Sequence, residues 1–75
     1  MGFRNYVIKH KTEEAWLTQI IADGREKVYW YLPDIGMAMK IETVTEARRI
    51  AKASRGRVQA FRMSKSGEPY GEDVD

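Results

Sequence analysis

"LTQIIADGREKVYWYL", residues 17–32, holds two β-rich runs on either side of Asp23-Gly24. Asp-Gly between such runs predicts a two-residue hairpin turn of type I′, because both central positions of that turn need positive φ. With Asp23 and Gly24 as the central pair, Gln19 faces Val28, Leu17 faces Trp30 and Ala15 faces Leu32. The opposite face then pairs Ile20 with Lys27, Thr18 with Tyr29 and Trp16 with Tyr31. This register predicts a buried Trp30 and more exposed Tyr29 and Tyr31.

The next turn agrees with that register. "PDIG" at 33–36 reads as a four-residue connection. It sets Leu32 against Met37, Trp30 against Met39 and Val28 against Ile41, so the apolar residues fall on the face that holds Leu17. A slip of one residue would turn the whole set outward. Upstream, "YVIKH" at 6–10 reads as a short strand that adds Tyr6, Ile8 and His10 to the core face. Downstream, Thr43 and Glu46 form a T-x-x-E capping box that opens a helix at Val44. Val44, Ala47, Ile50, Ala51 and Ser54 share one side of it. Gly56 stands where a left-handed C-terminal cap belongs. "RVQAFRM" at 57–63 reads as a fifth strand, set antiparallel beside the first. Its inward face is either Val58 with Ala60 or Phe61 with Met63. The expected fold is α+β: an antiparallel sheet, made of a four-stranded meander plus a fifth strand, with one helix packed on one face.

Seventy-five residues make one domain with a small core, and there is no cysteine to brace it. The domain is expected over residues 1–64. The formal net charge of +2 conceals an asymmetry. Residues 1–67 carry all thirteen Lys and Arg against seven acids, a net of +6, and Glu68–Asp75 carries four acids and no base. Residues 65–75 are therefore expected to form an acidic, flexible tail that either stays solvated or folds back onto the basic surface. No apolar run is long enough for a membrane helix and no signal-peptide pattern opens the chain. A cytoplasmic protein with no membrane partner is the expectation.

An enzyme is not expected. The single histidine, His10, lies near a strand end, where a structural role is commoner than catalysis. No phosphate-cradling glycine loop follows a strand, and no acids converge at catalytic or metal-binding spacing. No cofactor and no metal are expected. Function should lie in surfaces, and two stand out. With Ala47, Ile50 and Ala51 turned inward, Arg48, Arg49, Lys52 and Arg55 point outward, and Arg57 and Arg62 extend the patch. Such a face often serves solubility alone. This one has almost no interleaved acid and favours arginine, whose fork fits phosphates and carboxylates. The second surface is the sheet face that the helix leaves open, with Trp16, Tyr29 and Tyr31 among lysines. It suits cross-strand packing, a protein interface or base stacking.

"YVIK" at 6–9, "IETVTEARRIA" at 41–51 and "GRVQAFRM" at 56–63 together resemble small phage-encoded α+β proteins, and among them certain type I-F anti-CRISPR inhibitors. The resemblance covers about half of the chain. It implies a non-enzymatic inhibitor that binds a CRISPR–Cas surveillance complex (Cascade, Csy) in the bacterial host cell and blocks target DNA binding. Arg48 and Arg49 match the basic positions that meet the complex in that family, and Lys52 extends the same face. The aromatic hairpin from Trp16 to Tyr31 departs from the family pattern. Two alternatives stand beside this one. One is a small nucleic-acid-binding protein that uses the basic helix and the aromatic sheet face. The other is a homodimeric phage accessory protein.

Overall fold

The structure, a computed structural model, describes residues 5–74. Five strands form one open antiparallel sheet: β1 (Asn5–Lys9), β2 (Trp16–Asp23), β3 (Glu26–Leu32), β4 (Arg57–Met63) and β5 (Pro69–Asp73), in the order β3-β2-β1-β4-β5. Helix α1 (Val44–Ser54) packs on one face. The expected fold class is found. So is the strand after the helix, antiparallel to β1 from Asn5↔Phe61 to Lys9↔Arg57. Of its two possible inward faces, Val58 with Ala60 is the one beneath the helix, because Ile8 and Tyr6 stand opposite them.

The hairpin lies where Asp-Gly places it, but its register differs. Asp23 pairs with Glu26, so the central residues are Gly24 and Arg25. Gly24 has φ 64° and Arg25 does not have positive φ. A type II′ turn needs this pattern, with its one positive φ at the first central position, where glycine bears it without strain. A bulge follows at Thr18: Leu17 pairs with Tyr31 while Gln19 pairs with Trp30. The Thr18 hydroxyl donates to the Trp30 carbonyl (3.1 Å). A bulged residue reverses which face the following side chains take. Leu17, Ile20, Tyr29 and Tyr31 therefore lie beneath the helix, and Leu17 is fully buried. Ile21, Val28, Trp30 and Leu32 lie on the other face. The expected burial of Trp30 is overturned: it is 55% exposed, while Tyr29 and Tyr31 are half-buried.

The expected fourth strand of the meander does not form. After Leu32 the chain leaves the β3 edge, and Ile35–Met37 makes one 3-10 turn. The Asp34 carboxylate caps it by accepting the Gly36 N–H (2.9 Å). Ile35 and Ala38 pack with Val7 on the sheet face opposite the helix, against half-buried Trp16 and Phe61. The chain then passes between β1 and β2, which pair with each other only at Lys9↔Trp16. Met39 N–H bonds the Leu17 carbonyl (2.9 Å), and Tyr6 and Ile41 exchange bonds of 2.7 and 2.8 Å. Ile41 emerges in the helix-side core. This crossing buries apolar side chains on both sheet faces, which a strand on the β3 edge would not do.

The helix opens as expected, with the Thr43 hydroxyl accepting the Glu46 N–H (3.2 Å). The returning half of the capping box is missing, because the Glu46 carboxylate binds Arg49 instead. At the other end the left-handed residue is Arg55 (φ 61°), not Gly56. Gly56 serves close approach. A Cβ there would stand 2.5 Å from Ile8 Cγ2 and 2.8 Å from the Lys9 carbonyl. Both neighbours are fixed in β1, so Gly56→Ala is expected to cost about 1–3 kcal/mol of stability, read as a lower denaturation midpoint.

The acidic segment is not a flexible tail over its described length. Pro69–Asp73 pairs with β4 from Gln59↔Asp73 to Met63↔Pro69. Its acids fold back onto bases: Arg62 meets Glu72 at 2.8 Å and Arg57 meets Asp73 at 3.8 Å. Buried Gln59 ties the strands together. It accepts the Trp16 indole N–H (2.9 Å) and donates to Asp73 (2.9 Å).

Candidate binding surfaces

Arg48, Arg49, Lys52 and Arg55 are all exposed, since Ala47 and Ala51 occupy the buried side of α1. The structure thus brings together the four basic residues expected on the helix. Arg49 reaches both oxygens of the Glu46 carboxylate, at 2.5 and 2.7 Å. That hydrogen bond, with the attraction between the two charges, raises the Arg49 pKa above its already high value. Lys52 sits in the last turn, where the helix dipole favours a cation. Arg57 and Arg62, expected to extend the patch, are instead paired with the acids of β5. The field of the helix is therefore bounded on the β4–β5 side by ion pairs.

Beside the cationic face, helix and hairpin diverge around a groove of about 230 Å³. Lys27 and Tyr29 of β3 stand on one wall, with Arg49, Ile50 and Ala53 of α1 on the other. A second depression, of about 350 Å³, lies at the C-terminal end of the helix, where Arg48, Gly56, Arg57 and Asp73 meet.

The aromatic set expected on one open face is divided. Trp16 lies on the face opposite the helix, tied to Gln59, with the Lys9 ammonium 6.0 Å from its ring centre. Tyr29 and Tyr31 pack on the helix side. Tyr31 meets His10 edge-on, with ring centres 4.7 Å apart at 81°. No stacking platform is built from these three rings. His10 is a loop staple: its Nδ1 accepts the Thr12 and Glu13 N–H groups, each at 3.1 Å. Sequence reasoning missed the apolar row Ile21, Val28, Trp30 and Leu32, each 39–55% exposed. Its alternation with Lys27, Tyr29 and Tyr31 is visible in the sequence, but the face it takes depends on the bulge.

Among the described residues, no group of three His, Cys, Asp or Glu could hold a metal ion, and no helix is long and apolar enough to cross a membrane. No family model, curated protein or solved structure matches the chain, so its surfaces are read from their own residues.

Proposed function

We propose that this chain is a non-enzymatic inhibitor of the anti-CRISPR type. In this reading the exposed face of α1 docks on the nucleic-acid-binding surface of a CRISPR–Cas surveillance complex in the bacterial cytoplasm and keeps target DNA out. The resemblance suggests the target, and the observation that carries the contact surface is Arg55. It is the only non-glycine residue with positive φ among those described. The left-handed conformation costs an L-residue roughly 1–2 kcal/mol, and glycine is the usual occupant of such a cap. A residue held against its backbone preference points to a use for its side chain. Arg55 continues the row of Arg48, Arg49 and Lys52, where guanidinium forks can meet carboxylates or phosphates in pairs.

Arg55→Gly separates this reading from a solvated helix face. Relief of the backbone strain, less the added freedom of the unfolded chain, should stabilise the protein by about 0.5–1 kcal/mol. The thermal midpoint should therefore rise by a few degrees while binding to the surveillance complex weakens. A variant that gains stability and binds unchanged removes the contact role. Salt dependence separates a protein target from direct nucleic-acid binding, since each phosphate neutralised adds ~0.9 to the log–log slope.

A further inference from the structure

We propose that β3 is a self-association edge, and that a second copy of this chain pairs with it antiparallel about a two-fold axis at Tyr29. The first observation is the state of the hairpin. Residues 21–28 are all exposed, and β1 meets β2 only at Lys9↔Trp16. The outer half of the hairpin is thus a two-stranded ribbon without a core, a form that is marginal in water by itself.

The second observation is where the backbone of β3 points. In a hairpin closed at Asp23↔Glu26, the residues that bond to β2 are Glu26, Val28 and Trp30. The Thr18 hydroxyl on the Trp30 carbonyl agrees with this alternation. Lys27, Tyr29 and Tyr31 therefore turn their N–H and C=O groups to the free edge. One two-fold register uses all three: Tyr29 opposite Tyr29 of the second copy, and Lys27 opposite its Tyr31. The same register sets Val28 beside Trp30 of the second copy, and keeps the two Lys27 ammonium groups apart over aromatic partners. An isologous contact needs this kind of self-complementarity.

The third observation is the contrast between the two edges of the sheet. β5 begins at Pro69 and carries Gly71, Glu72 and Asp73, which are features that discourage pairing. β3 has charges only at its turn end, Glu26 and Lys27, and then runs apolar to Leu32. Trp30 is 55% exposed, and Val28 and Leu32 are each 42% exposed. Pairing would extend the sheet across both copies and cover part of this row. Because the two-fold axis is perpendicular to the sheet, both α1 helices would lie on the same side, which presents two cationic faces together.

Sedimentation of the full chain tests this. Wild type should be a concentration-dependent dimer. Lys27→Pro removes an outward N–H that takes no part in the β2–β3 ladder, and Trp30→Glu places a charge beside Val28 of the second copy. Both should sediment as monomers with unchanged circular dichroism. The chain has no cysteine, so single replacements report the register. The partners of a non-hydrogen-bonded antiparallel pair lie ~4.5 Å apart at Cα, within disulfide range. Oxidising a mixture of Val28→Cys and Trp30→Cys should give the mixed disulfide in excess of either homodisulfide. This readout decides the matter even if the other two variants fold poorly. A wild type that stays monomeric at millimolar concentration overturns the proposal, as does a dimer that survives both variants. Homodisulfides formed as readily as the mixed product also overturn it.

Discussion

Leu17→Ala is expected to leave most of the protein unfolded at 37 °C, whereas Trp30→Ala leaves it folded. Leu17 is fully buried among Ile8, Ile41, Ala47, Ala51 and Val58, where strands and helix meet. Truncating such a leucine costs about 2–5 kcal/mol, from lost transfer energy and the cavity left behind. A core in a chain of this size rarely supplies more than about 3–5 kcal/mol of net stability. The loss is therefore comparable to the whole. Trp30 is more than half exposed, so its removal should cost about 1 kcal/mol or less when the protein is dilute. Urea denaturation of both variants at low protein concentration gives the comparison directly. The reverse order of midpoints would put Trp30 in the core and restore the register read from Asp23-Gly24.

That contrast marks how far the sequence could be read. The position of the hairpin was legible, because Asp-Gly between β-rich runs has few other uses. So were the start of the helix at Thr43 and the pairing of the last long strand with the first. What failed depended on single residues. Asp23-Gly24 fits a type I′ turn on composition, yet Gly24-Arg25 needs only one positive φ, which moves the turn by one residue and the pairing of β2 with β3 by two. The bulge at Thr18 leaves no compositional trace, and it decides whether Trp30 or the tyrosines face the helix. Residues 37–41 alternate like a strand, but their apolar side chains are placed by a chain crossing between β1 and β2. The acids of residues 68–73 read as a solvated tail on composition, which does not show partners; Arg57 and Gln59 meet Asp73, and Arg62 meets Glu72. The cationic helix was legible because a capping box and a 3.6-residue period orient its residues together. The strain at Arg55 was not, since Gly56 beside it is the more natural cap.

Charge reversal on that helix carries the other large effect. Arg49→Glu with Lys52→Glu replaces two exposed cations, so the fold should be little affected, losing only the solvent-screened Glu46 pair and a favourable charge near the helix C-terminus. Binding should fall far more. Placing like charges into a desolvated contact commonly costs ~2–5 kcal/mol, or about 30-fold to several thousand-fold in Kd. Arg49 is the more telling of the two. Its guanidinium remains charged at any working pH, so the loss should be flat with pH through the neutral range.

In the proposed function, the exposed face of α1 occupies a surface that target DNA would otherwise use. Competition decides this: purified type I-F surveillance complex, labelled target DNA, and increasing amounts of this protein. Wild type is predicted to abolish DNA binding at a defined stoichiometry, and the folded Arg49→Glu/Lys52→Glu variant to leave DNA bound at the same concentrations. If wild type leaves DNA bound, or if the double reversal displaces it as well as wild type does, the proposed function is contradicted.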